Sequence, residues 1–185
     1  MFYNLKKLRL MGKILKIQTI VIASLSVLLV FCCFDTLCAK TIKSVKVIKI
    51  VDGDSIIVAS PWFEGIKVRL WGIDTPEYRQ PYSKAAAKIT RKLLQHQTVD
   101  LLVKDHDDYG RVVAVVKMEN GDTANELLVK SGYAWVHIYY CKEPVCRTWR
   151  ALEAEARAKG VGLWQEPEPV APWIWKRNNK YRKKK

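Results

Sequence analysis

Two acidic corners set in β-forming sequence constrain this chain more than any other feature. Ser44–Val51 is β-branched and roughly alternating, Asp52-Gly53-Asp54 is a turn, and Ser55–Ala59 resumes the apolar pattern, so the stretch predicts a hairpin. After a loop over Ser60–Gly65, the alternating run Ile66–Leu70 predicts a third strand whose polar face carries Arg69. The second corner is Asp74-Thr75-Pro76-Glu77. Pro76 disfavours the helical region for Thr75, so Asp74-Thr75 leaves the strand as a rigid extended corner. A hard cation needs oxygen ligands, and Asp54, Asp74 and the Thr75 carbonyl supply them. Glu77, just past the corner, is placed to take a proton from a water, and the Arg69 guanidinium suits a phosphate by two parallel hydrogen bonds. Taken singly, each motif is ordinary turn chemistry. Their pairing at this spacing points to a site.

Downstream, Tyr82–Gln95 is alanine-rich with apolar residues at Ala86, Ile89 and Leu93, an amphipathic helix. Val99–Val103 and Val112–Met118 predict strands four and five, separated by the charged loop Lys104–Arg111. Thr123-Ala124-Asn125-Glu126 reads as a capping box opening a short helix to about Ser131, closed by Gly132. Tyr133–Tyr140 is expected to be extended, and Arg147–Lys159 to be a third helix ended by Gly160. Five strands with a helix after the third is the order of an OB-type barrel, so the expected fold is α+β: a five-stranded OB-type β-barrel with about three helices. Gly162-Leu163-Trp164 is expected to pack the last helix end onto the barrel. Residues 165–185 then read as a proline-containing linker and a basic tail, with Trp173 and Trp175 docking it and Lys176–Lys185 solvated.

The corners, together with Tyr109-Gly110-Arg111, resemble the thermonuclease (staphylococcal nuclease) family, whose signature is D-G-D-[TS], R-L-x-x-[VI]-D-T-P-E and Y-G-R. The resemblance spans about residues 44–164. It implies an OB-fold enzyme that hydrolyses phosphodiester bonds of DNA and RNA, leaving 3′-phosphate ends. Arg69, Glu77 and Arg111 would be catalytic: two arginines clamping phosphate and a general base for the attacking water. Asp54, Asp74 and the Thr75 carbonyl would hold one Ca2+, with Asp52 orienting water or ligand behind them. Tyr109 and Tyr140 are candidates to contact the nucleotide. The chain departs from the family pattern at Asp108, where a lysine is expected, at Ile138, where a tyrosine is expected, and in a shorter, less lysine-rich loop after Glu77.

The formal charge is +14, from 32 Lys and Arg against 18 Asp and Glu. Such a surplus suits a polyanion or an anionic surface. Residues 1–39 hold five basic residues and one acidic residue, so the remainder still carries +10. Basic residues through Lys16, an apolar run over 17–34 and a small residue at Ala39 read as an export signal, with cleavage after Ala39. The competing reading is a membrane anchor over residues 17–34. Of five cysteines, Cys32, Cys33 and Cys38 go with that segment. Cys141 and Cys146 remain, an even pair that in an exported chain predicts a small-loop disulfide worth about 2 kcal/mol. Three dispersed histidines and two thiols fall short of a tetrahedral zinc set. The expected partners are DNA and RNA, preferably single-stranded, with the protein a monomer. The alternative function is a noncatalytic OB-fold module that binds nucleic acid.

Overall fold

The structure, a computed structural model, describes residues 40–182; the expected export signal or anchor lies outside the described residues. Among the described residues there are seven strands, β1 (Thr41–Ile50), β2 (Ser55–Ser60), β3 (Phe63–Leu70), β4 (Ile73–Asp74), β5 (Thr98–His106), β6 (Val112–Met118) and β7 (Trp135–Val136). The helices are α1 (Ser83–Leu94), α2 (Ala124–Lys130), α3 (Val145–Ala158) and α4 (Pro172–Arg182), with a 3-10 turn over Gly162–Gln165. Five strands close into a barrel in the order β1-β2-β3-β6-β5, and β4 and β7 form a separate two-stranded ribbon.

Barrel closure follows from β1 and from one parallel seam. The β1 strand pairs with β5 through Thr41–Lys46 and with β2 through Lys46–Ile50, and register shifts along it let one strand bend to serve both neighbours. The seam is β3 against β6, with Val68 opposite Val112 and Arg69 opposite Val113. Alternate residues of each strand point inward: Val45 and Val47, Ile56 and Val58, Val68 and Leu70, Val99 and Leu101, Val112, Ala114 and Val116 are all buried. This is the period-two pattern of the sequence turned into a core.

The architecture is the expected OB-type α+β barrel, with local differences. Ser60 pairs with Phe63, so the expected six-residue loop shrinks to a two-residue turn at Pro61-Trp62. The buried stripe of α1 runs Ala86-Thr90-Leu94, with Ile89 and Leu93 only partly buried against the core. Only Trp135–Val136 of the expected extended segment Tyr133–Tyr140 is a strand; the chain turns on both sides of it. Thr123 caps α2 by accepting from the Glu126 N–H (3.4 Å), but the Glu126 carboxylate accepts from the Trp149 indole (3.3 Å), so its bond is to α3. The tail differs most. The linker bends over Glu166–Glu168, and Pro172 then starts α4, where its fixed φ suits a first turn. The basic stretch that starts at Lys176 is therefore helical as far as Arg182 and exposed at Lys176–Asn178.

Asn125 is fully buried and fills the gap that opens where β3 turns away from β6. The β3–β6 pairing ends at Leu70 and Ala114. Beyond it, the Asn125 Oδ1 accepts from the Val116 N–H (2.9 Å) and its Nδ2 donates to the Trp71 carbonyl (2.8 Å). Asn125→Ala would strand both main-chain groups and is expected to lower stability by about 3 kcal/mol in urea unfolding. A loss below about 1 kcal/mol would show that water takes over both bonds.

Candidate active site

The Asp52-Gly53-Asp54 turn leaves β1 and returns into β2, and its two acids do different things. The Asp52 carboxylate accepts from the Asp54 N–H (3.0 Å) and so shapes the turn, while Asp54 points inward. Asp54 and Asp74 are buried, at 5% and 1% exposure, with Thr75 at 2%. The Thr75 N–H and hydroxyl both donate to Asp54 Oδ2, at 2.6 and 2.7 Å. These bonds fasten the two corners to each other. Gly53 permits the approach: a Cβ there would lie 2.5 Å from the Thr75 hydroxyl and 3.0 Å from Ala86. From α1, the buried Thr90 hydroxyl donates to the Gly53 carbonyl (2.6 Å).

Arg69 reaches from β3 between the two acids. Its guanidinium pairs with Asp54 Oδ1, with Asp74 Oδ1 (2.5 Å) and with the Ile73 carbonyl (3.2 Å). The parallel β3–β6 seam sets Val113 opposite Arg69, so Arg111, the residue just before β6, reaches the same cleft. Arg111 is held by Asp107, whose carboxylate accepts from its Nε (2.6 Å) and its backbone N–H (3.0 Å). Burial opposes the charged form of Asp107, but the bonds from Arg111 and from the Tyr109 N–H outweigh it and hold this carboxyl below its ordinary value.

A polar cleft of about 380 Å3 is lined by Asp52, Asp54, Arg69, Glu77, Tyr109, Arg111, Lys67 and Lys176, among others. Arg69, Tyr109, Arg111 and Lys176 also border a neighbouring cleft of about 510 Å3, where Tyr139, Tyr140, His137 and Lys104 stand. The structure thus gathers every expected site residue: Asp52, Asp54, Arg69, Glu77, Tyr109 and Arg111 line the first cleft, Asp74 and Tyr140 the second, and Thr75 joins the corners behind them. Tyr109 and Tyr140 are exposed, Tyr109 beneath the Arg111 guanidinium at 5.4 Å and Tyr140 against His137 at 4.5 Å. Burial holds the His137 imidazole below its ordinary pKa; Asp74 opposes this, and Arg69 and Lys176 reinforce it. Cys141 and Cys146 form the expected disulfide, with Cα atoms 5.6 Å apart. It closes a loop directly after Tyr139 and Tyr140. The Cys141 sulfur packs on Gly72, whose φ of +75° turns the chain toward β4.

Several contributors were not singled out in the sequence. Gln80 accepts from the Glu77 N–H (2.9 Å) and donates to the Val170 carbonyl (2.7 Å), which ties the linker to the second corner. Lys176, expected to be solvated, lies 2.7 Å from Glu77 Oε1 and 3.9 Å from Asp74 Oδ1. Asp107 had a local signal, an acid four residues before an arginine in the same loop. Lys176 and the Gln80 bond to Val170 had none, because those partners are distant in sequence.

The donors can be tested against a divalent ion. Two buried carboxylates converge on one guanidinium, which balances only one of their two charges, and the corner offers only oxygen donors. Among the described residues no group of three or more His, Cys, Asp or Glu converges as a metal site. Asp54, Asp74 and the Thr75 main-chain oxygen are the donors that would face an ion at this corner. That set fits a hard, oxygen-seeking cation such as Ca2+ and not a thiolate or imidazole metal.

Comparison with known proteins finds relatives of this chain. A family model described as "Staphylococcal nuclease homologue" matches residues 67–166. An uncharacterized endonuclease of Escherichia coli is 34% identical over 131 residues, 71% of this chain and 83% of that protein. An uncharacterized endonuclease of Haemophilus influenzae is 34% identical over 155 residues, 84% of each chain. A micrococcal nuclease of Shigella flexneri is 36% identical over 143 residues, 73% of this chain and 81% of its own. With the barrel, both acidic corners and the paired arginines in place, the chain belongs to the staphylococcal nuclease family.

Proposed function

We propose that this protein is an exported, Ca2+-dependent nuclease that hydrolyses phosphodiester bonds of DNA and RNA, preferring single strands and leaving 3′-phosphate ends. The observation that carries the reading is that Arg69, Arg111 and Glu77 line one cleft and that two buried carboxylates, Asp54 from that cleft and Asp74 from its neighbour, converge on Arg69. A noncatalytic binder has no use for this arrangement, since inward-facing acids repel a polyanion.

Asp54, Asp74 and the Thr75 carbonyl are the residues that would hold the ion. Ca2+ held there would supply Lewis-acid polarisation of the phosphoryl oxygen and neutralise charge. The protein's own residues do the rest. Arg69 and Arg111 grip the phosphate through planar N–H forks and stabilise the charge that builds on five-coordinate phosphorus. Glu77 takes the proton of the attacking water as its oxygen bonds to phosphorus, and the bond from phosphorus to the 5′-oxygen breaks. That oxygen leaves as a 5′-hydroxyl after protonation from solvent, and the phosphate stays on the 3′ side. Exposed Tyr109 and Tyr140 offer faces on which unpaired bases stack, which favours single strands. Asp52 keeps Asp54 aimed inward by holding the turn.

Three outcomes test this. Residues 40–185 should degrade heat-denatured DNA and RNA with Ca2+ and stop on addition of EGTA; chelator-resistant cleavage would remove the metal from the reading. Arg111→Lys keeps the charge and loses the fork, and Glu77→Gln loses the base, so each should lower kcat/KM by about 10²- to 10³-fold with an unchanged unfolding midpoint; near-wild-type turnover would reject the assigned roles. The exported protein should begin at Lys40 on N-terminal sequencing, and an intact N-terminus in a membrane fraction would favour the anchor.

A further inference from the structure

The C-terminal helix contributes a cation to the cleft. The α4 helix lies beyond residues 67–166, the stretch matched by the family model, yet it is built onto the site at several points. Trp173 stacks edge-on against Trp135 (5.8 Å) and lies against His137 (5.0 Å). Trp135 is the β7 residue paired with Asp74, so the surface on which α4 rests is the partner strand of an acidic corner. Ala171 is buried just ahead of the helix, and Gln80 bridges Val170 to the Glu77 backbone. Lys176 follows Trp173 by three residues, so the docked indole and the lysine share one helix face.

We propose that Lys176 is a third phosphate-contacting cation of this cleft, beside Arg69 and Arg111, and the positioning residue for Glu77; the proposal rests on the nuclease reading of the cleft. Nζ carries three donors, and the bond to Glu77 Oε1 at 2.7 Å uses one, so the ammonium can meet phosphate oxygens while it keeps the carboxylate in place. The contact is not a clasp that shuts the site. The Lys176 side chain is 54% exposed and that of Glu77 33%, so the pair is screened by water and cannot outbid a polyanion for the cleft. What fixes the lysine is the docking of Trp173, which substrate need not disturb.

The test compares wild type, Lys176→Met and Lys176→Arg. Without hydrolysis, in EDTA, binding of a fluorescent single-stranded oligonucleotide is followed against salt. Loss of one phosphate contact should flatten the slope of log K against log[salt] by about 0.7 for the Met variant, and Arg should restore it. With Ca2+, the Met variant should show a higher KM and a lower kcat, about tenfold or more in kcat/KM together, while Arg regains KM better than kcat because it replaces the charge but not the geometry at Glu77. Lys176 is half-exposed, so the unfolding midpoint of all three should agree. An unchanged salt slope with unchanged kcat/KM would overturn the proposal, and faster hydrolysis by Lys176→Met would overturn it in favour of an inhibitory contact. If wild type does not hydrolyse nucleic acid at all, the nuclease reading fails by itself, and the binding slope still decides the lysine contact.

Discussion

The placement of Arg69 between Asp54 and Asp74 is the constraint on which the remaining site geometry depends. The three residues come from the β1–β2 turn, from β3 and from β4, so their charges fix three segments relative to one another. Burying two carboxylates is costly unless each is paired and hydrogen-bonded. Asp54 meets that condition: Thr75 supplies two donors, Ser55 a third at 3.3 Å, and Arg69 a charge. Thr90 and Ala86 of α1 buttress the same turn from behind. A cluster held this way keeps its shape while still carrying surplus negative charge, which is the property a cation-assisted site requires.

Around this bridge the barrel supplies alignment. Because β3 and β6 run parallel, Arg69 and the first residues of β6 lie side by side, and Arg111 arrives at the cleft already braced by Asp107. Where the seam ends, Asn125 stands in for the missing strand, so β3 can turn off toward β4 without leaving bare main-chain groups. The turn at Gly72, packed under Cys141 and Trp149, makes that departure sharp. Its outcome is the β4–β7 ribbon, which presents Asp74 on one strand and the docking surface for α4 on the other.

A small aromatic cluster forms the outer support. Trp164 meets Trp135 at 4.4 Å, and the Arg157 guanidinium covers both rings at 3.8 and 4.4 Å. Trp173 joins the same group, so α3, the 3-10 turn and α4 share one packing unit outside the barrel core. The linker and helix after residue 165 are thereby part of the site's surroundings, docked through Trp173 as the sequence suggests.

How much could be read in advance depended on the range of the interactions involved. Alternation of apolar residues carried the strands, because inward and outward positions repeat every two residues. Asp-Gly-Asp and Asp-Thr-Pro-Glu carried the corners, because turn chemistry is local. Thr90, Gln80 and Asn125 each have a partner that only folding brings near, whereas Asp107 bonds within its own loop, and Thr90 lies on a buried stripe that the expected Ala86, Ile89 and Leu93 do not include. The Lys176 contact is unmarked for the same reason: a lysine in a basic tail has no local feature that separates it from its neighbours. The sequence by itself determined the barrel, its acidic corners and the chemical types at the site, since periodicity, turn geometry and side-chain chemistry are properties of short stretches. Only the tertiary structure decided that Arg69 bridges the two acids, that the parallel seam brings Arg111 to the same cleft, and that the C-terminal helix brings a lysine to Glu77, since each joins groups far apart along the chain.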